Sequence, residues 1–232
     1  MDRRLVTVAL LFLAAGAPQA AELTGTELQW LKAGWPVVAY AKEQKLPLDI
    51  SVLPEAKPGD APLAMGFVDG RCKLVLAMRG NPEAENTLAQ IEPALLVPVV
   101  EAMVAHELGH CWRYVHGAWR TLPAGFVDTS RDDPATRDEE LAQLRRDMRE
   151  TRREEGYADL VGLAWTLSHH AAQYDAVYAW FAKVRDDQPV PGAHHDTRAW
   201  LRLVKDRHAF APGSTPFEQA LPLWRNGLLG DD

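Results

Sequence analysis

Apolar residues recur at helical spacing around Trp30 between Thr24 and Gln44, which predicts an N-terminal helix that Trp35-Pro36 should interrupt or end. Leu48 to Leu53 reads as a short strand, closed by Pro54, Pro58 and Gly59. Two further apolar runs, Leu63 to Val68 and Arg71 to Met78, flank Asp69-Gly70, a strong hairpin signal. Gly80-Asn81-Pro82 then breaks the chain. From Leu95 to Ala105 nearly every position is apolar, which predicts a largely buried helix running into His106-Glu107-Leu108-Gly109-His110. Gly117 to Pro134 reads as a loop, and Ala135 to Arg153 as a charged, exposed helix. A second strongly helical segment begins at Arg153 and continues through Trp165. Helices are also expected over Ala172 to Arg185, Thr197 to His208 and Pro216 to Leu229. Together these predict a single α+β domain, mostly helical, with a small antiparallel sheet ahead of the buried helix.

The N-terminus changes the picture of where this domain works. Met1-Asp2-Arg3-Arg4 is basic, Leu5 to Ala15 is apolar, and Gly16-Ala17-Pro18-Gln19-Ala20-Ala21 is small and turn-forming. That three-part pattern predicts a secretory signal peptide over residues 1–20, followed by one domain over 21–232. The apolar run falls short of the roughly 20 residues a membrane span needs. An exported protein is expected, secreted or periplasmic and bacterial, with no stable membrane span after cleavage. Removing residues 1–20 takes away Asp2, Arg3 and Arg4, so the net charge of −7 becomes −8. An acidic domain without a basic aromatic patch is not a nucleic-acid binder. The eight tryptophans point to an aromatic-rich core. Cys72, in a predicted strand, and Cys111 could form a disulfide in an oxidising compartment; a thiolate ligand is the alternative.

His106-Glu107-Leu108-Gly109-His110 carries the chemistry. At about 100° per residue, His106 and His110 lie within about 40° of each other, one turn apart. Both imidazoles can face one ion, and Glu107 is placed to reach water bound to it. Two neutral imidazoles suit Zn²⁺, and the carboxylate supplies the general base of zinc-assisted hydrolysis.

A third ligand is needed, and two candidates compete. His116 has the spacing of a third histidine in HExxHxxGxxH, but Arg113 stands where that pattern needs a glycine to leave the helix. If the helix continues, His116 lies about 240° around from His110. The other candidate is Glu155, four residues before Asp159 on the same helical face. Glu155 would complete the zinc shell while Asp159 accepts a proton from the far nitrogen of a ligating histidine. Gly156 and Ala158 would let this helix approach the first closely. Glu154 is the alternative carboxylate, with no acid four residues later.

The pair Ala105-His106-Glu107-Leu108-Gly109-His110 and Glu155-Gly156-Tyr157-Ala158-Asp159 resembles the gluzincin metallopeptidases. The likeness is greatest to the compact group similar to CAAX-prenyl-protease catalytic domains, including the soluble minigluzincins. It covers Leu95 to Trp165 and lacks the membrane members' transmembrane helices. The resemblance implies a zincin-like fold, Zn²⁺ held by His106, His110 and Glu155, Glu107 as catalytic base, and Asp159 behind a histidine ligand. It also implies a downstream histidine that steadies the tetrahedral intermediate. His195, in Gly192-Ala193-His194-His195-Asp196-Thr197-Arg198, is the expected counterpart, although the usual proline after it is missing. Arg198 and Tyr157 are alternatives for that role. The expected activity is peptide-bond hydrolysis on a peptide or protein substrate. The competing expectation is a non-catalytic zincin-like module that binds metal or a partner.

Overall fold

The computed structural model describes residues 22–126, 139–187 and 192–230. The expected signal peptide lies outside them, as do residues 127–138 of the expected loop and charged helix.

Helix α1, Gly25–Glu43, opens on a capping box in which the Thr24 hydroxyl accepts from the Glu27 amide and the Glu27 carboxylate accepts from the Thr24 amide. Pro36 does not end it, contrary to expectation. Trp30, Ala33, Gly34, Val37 and Ala41 bury one face of α1, and tertiary packing on the next long helix outweighs the hydrogen bond that Pro36 cannot make. Strands β1 (Leu48–Val52), β2 (Leu63–Val68) and β3 (Arg71–Leu76) follow. Asp69 and Gly70 both adopt positive φ, as a tight hairpin turn between β2 and β3 requires.

The sheet order is β1-β3-β2, with β2 antiparallel and β1 parallel to β3. The sheet is therefore mixed and not antiparallel throughout. The hairpin reverses β3 relative to β2, and β1 occupies the free edge of β3 in the same direction. Cys72, Leu74 and Leu76 of the central strand alternate into the core.

A short helix α2, Pro82–Ala89, follows at the expected break: Asn81 caps it by accepting from the Glu83 amide, with Pro82 at the first helical position. After a 3-10 turn at Pro93–Leu95 comes α3, Leu96–Val115. By length and hydropathy Pro93–Val115 could cross a membrane, but two-thirds of its apolar window is buried between α1 and its neighbours. It is the central helix of the core.

Helix α4, Glu139–His169, runs without a break from the described part of the charged segment through the second predicted segment. The change at Arg152 is one of environment: residues 139–151 are exposed or half-buried, and Arg152 to Thr166 are all buried. Helices α3 and α4 touch through small residues. A Cβ on Gly109 would meet the Ala158 backbone at 3.1 Å, and one on Gly162 would meet the Ala102 carbonyl at 2.7 Å. Gly156 plays a different part from the one expected, because it receives the Trp200 indole.

Helix α5 spans Tyr174–Asp186, α6 Arg198–Leu201 and α7 Pro216–Leu228. The long helix expected over Thr197 to His208 is only the single turn of α6, followed by 3-10 turns. Trp200 wedges between Gly156 and Gly227, and the Asp206 carboxylate accepts from the His208 amide, diverting the backbone from helix. Cys72 and Cys111 form a disulfide joining β3 to α3.

Candidate metal centre

His106 and His110 sit on successive turns of α3, and Glu155 faces them from α4 across the Gly109–Ala158 contact. His106 Nε2 and His110 Nε2 are 3.2 Å apart. Glu155 Oε2 is 3.4 Å from His106 Nε2, and Glu155 Oε1 is 3.3 Å from His110 Nε2. Two imidazole nitrogens and the two oxygens of one carboxylate thus close a triangle of three side chains. An ion bound tetrahedrally at about 2.0–2.1 Å would hold its ligands about 3.3–3.4 Å apart. The donor set and its spacing therefore fit a small divalent cation, and these three residues could hold one.

The two imidazoles are steadied differently. His106 Nδ1 lies 2.8 Å from Asp159 Oδ1, and since a carboxylate only accepts, Nδ1 carries a proton and Nε2 is the nitrogen that faces the triangle. His110 Nδ1 is buried without a hydrogen-bond partner. Its ring is held by edge-on contacts instead, 4.8 Å from the His106 ring and 5.5 Å from the Trp119 indole. Trp119 in turn packs against Phe67, which stacks on Tyr114 at 4.1 Å.

Asp159 is fully buried and saturated. Arg185, from the last turn of α5, donates to Asp159 through Nε (2.9 Å) and Nη2 (2.7 Å), and reaches Glu155 Oε2 at 3.4 Å. The Thr197 hydroxyl donates to Asp159 Oδ2, the oxygen that also accepts from Arg185 Nε. Glu107, Glu155 and Asp159 against Arg185 leave two negative charges when all are ionised and both imidazoles are neutral, as ligation of a divalent cation requires. The facing carboxylates also act on the imidazole. Burial alone would depress the His106 pKa, but the Asp159 and Glu155 carboxylates outweigh it and raise it to about 10. Burial works against the Glu155 carboxylate too, yet hydrogen bonds from both histidines hold its pKa well below the ordinary range. Burial pushes Glu107 up, opposed by the two histidines.

No known protein family, curated protein or solved structure matches this chain. The reading of the site rests on its own geometry, and that geometry sorts the candidates. Glu154 faces away from the triangle: its carboxylate takes Arg113 Nε (2.5 Å) and Nη2 (2.9 Å) and the Arg120 amide (2.8 Å). Arg113, where a glycine would be needed for His116 to turn back, instead lies under the Trp224 ring at 4.1 Å. His116 ends α3, stacks on Trp112 and bonds the Trp112 carbonyl, outside the triangle. Tyr157 donates to the Phe217 carbonyl, away from the site, and Arg198 pairs with Asp196. Neither belongs to the triangle. His195 is at its rim, half exposed, with Nε2 3.6 Å from Glu155 Oε2, and burial on its inner side lowers its pKa.

Arg185, Thr197 and Trp119 are the residues that sequence reasoning missed. Arg185 is the last residue of a predicted helix, where a cation is expected simply for the helix dipole, so nothing set it apart.

Proposed function

We propose that this chain is an exported, gluzincin-type zinc peptidase, with His106, His110 and Glu155 as metal ligands. The observation that carries this is the triangle of two imidazole nitrogens and a carboxylate at 3.2–3.4 Å with Glu107 buried beside it. Zinc is the cation that two imidazoles and one carboxylate in tetrahedral spacing favour. Bound there, it would supply Lewis acidity, polarising a peptide carbonyl and acidifying water.

The protein's own residues would do the rest. Glu107 takes the proton from the attacking water and delivers it to the departing amine. Asp159 fixes the tautomer of His106, while Arg185 and Thr197 fix Asp159. His195, neutral at pH 7 and half exposed at the rim, donates towards the oxyanion. Export agrees with the Cys72–Cys111 bridge, which an oxidising compartment preserves.

The test is zinc content by elemental analysis alongside peptide hydrolysis. Wild type should carry about one zinc, His116→Ala should keep it, and Glu155→Ala should lose it. Glu107→Gln should retain zinc and lose hydrolysis. Wild type that takes up no metal would overturn the reading. The competing reading, a closed structural metal site, draws on the low exposure of the ligands, 9% at most. Zinc-loaded wild type without hydrolysis on a broad peptide library would favour it.

A further inference from the structure

Both histidines of the metal centre stand on α3, yet they are oriented by different means, and the difference marks out one side chain. His106 is tied to Asp159 through Nδ1 at 2.8 Å. His110 Nδ1 is buried and meets no hydrogen-bond partner among the described residues. The torsion that turns an imidazole about its Cβ–Cγ bond is broad, so a ligating ring without a partner on its far nitrogen is steadied only by what packs on it. Two rings pack on His110 among the described residues. His106 crosses it at 90° with centroids 4.8 Å apart, and Trp119 crosses it at 80° with centroids 5.5 Å apart. His106 belongs to the triangle itself, so Trp119 is the ring contact that reaches His110 from outside.

Trp119 lies in the turn that follows α3, and that turn is fixed on both sides of it. Gly117 has φ +64° and Arg120 φ +55°, the latter a conformation that a residue with a side chain adopts only where its surroundings over-determine it. The Ala118 amide donates to the Arg113 carbonyl (2.7 Å), and the Thr121 amide to the Ala118 carbonyl (3.0 Å). From α4, the Glu154 carboxylate accepts from the Arg120 amide (2.8 Å) and from Arg113 Nη2 (2.9 Å), which also donates to the Thr121 carbonyl (3.0 Å). The indole itself is half-buried and meets Phe67 of β2 edge-on, at 4.9 Å between centroids. Phe67 in turn stacks on Tyr114 of α3. A buried ion pair thus holds the backbone of the turn, and the sheet holds the ring.

We propose that Trp119 is the positioning residue of His110: by packing, its indole does for this imidazole what Asp159 does for His106 by a hydrogen bond, and so sets the affinity of the centre for its metal. The proposal rests on His110 being a metal ligand, as in the peptidase reading, and not on hydrolysis.

Zinc affinity of the full chain, measured by chelator competition for wild type, Trp119→Leu and Trp119→Phe, tests it, with a thermal melt of each variant. Trp119→Leu should weaken zinc binding about 10–100-fold, the range for losing the partner that orients a metal ligand. Trp119→Phe, which keeps an aromatic ring in the turn, should recover most of that loss. Long-range proton–nitrogen NMR of the histidine rings in the metal-free chain gives a readout that general loosening would not. Trp119→Leu should shift or broaden the His110 signals and leave those of His106, held by Asp159, close to wild type. Should Trp119→Leu fail to fold, Phe67→Leu frees the indole from its other side, and should disturb His110 selectively and to a smaller degree. Zinc affinity within about twofold of wild type in Trp119→Leu, or equal disturbance of both histidines, would overturn the proposal. If wild type binds no zinc, the ligand reading falls; selective disturbance of His110 would then keep Trp119 as its orienting contact and overturn the assignment to a metal.

Discussion

Replacing Arg113 with methionine should be among the most damaging single changes in this protein. The Arg113 side chain is 2% exposed and its Glu154 partner 1%, so removing the guanidinium strands a buried carboxylate with the Arg120 amide as its one remaining partner. Breaking a buried ion pair from one side costs about 3–5 kcal/mol. The contact of the guanidinium with Trp224 is lost as well. Domains of this kind are stable by only about 5–15 kcal/mol, so about a fifth of the total or more is at stake. At about 2–4 °C per kcal/mol for this chain length, the melting temperature should fall by about 6–20 °C. Differential scanning calorimetry of wild type, Arg113→Met, Glu154→Leu and the double variant measures it. The double variant should recover most of the loss, because no charge is then left stranded. A single-variant drop below about 3 °C, or a double variant no better than either single, would refute the claim that the pair is buried and mutually dependent.

Three other outcomes are expected. Asp159→Asn should weaken metal binding about 10–100-fold in chelator-competition titrations, because His106, Arg185 and Thr197 must then compete for one acceptor oxygen and the His106 tautomer is no longer fixed. The Arg79 guanidinium hydrogen-bonded to Glu27 holds the Glu27 pKa below its ordinary 4.5, so this stabilisation is fully present above pH 4.5 and fades as the pH falls through the folded-state pKa. Denaturant melts across pH 3–7 should show wild type ahead of Glu27→Gln near neutrality, with the two converging in acid. Gly109→Val should cost about 1–3 kcal/mol by urea unfolding, because a Cβ alone already meets the Ala158 backbone at 3.1 Å.

What could be read from the chain beforehand followed local rules. His106, His110, Glu155 and Asp159 sit in i,i+4 pairs, and the helical repeat alone puts each pair on one face. The β2–β3 hairpin was legible because Asp69-Gly70 specifies its own turn. Strand direction was not legible: β1 is parallel to β3 only because it occupies the free edge of β3, a matter of tertiary placement. The continuity of α4 was hidden by its composition, which changes where the helix enters the core and not where it ends. Asn81-Pro82 did carry a helix-start signal that was read only as a break. Arg185 and Thr197 reach Asp159 across 26 and 38 residues, and no periodicity marks such contacts.

The two carboxylates of α4 next to each other illustrate how neighbouring identical residues acquire opposite tasks. Glu154 and Glu155 are about 100° apart on the helix, so they face different partners. Glu154 meets a permanent cation, Arg113, and that pair also anchors the Arg120 amide in a turn where Arg120 itself has φ +55°. The same turn carries Trp119 to the ring of His110, the imidazole that lacks a hydrogen-bonded orienter. Glu155 meets no dedicated cation. Arg185 reaches it only at 3.4 Å while making its shorter bonds to Asp159. The buried charge of Glu154 is thus compensated by Arg113, and that of Glu155 is left facing the two histidines. An arginine at position 113 in place of a glycine is therefore more than a departure from the three-histidine pattern. It removes Glu154 from competition, keeps α3 helical to Val115 with His116 turned away, and leaves Glu155 as the carboxylate that faces the two histidines.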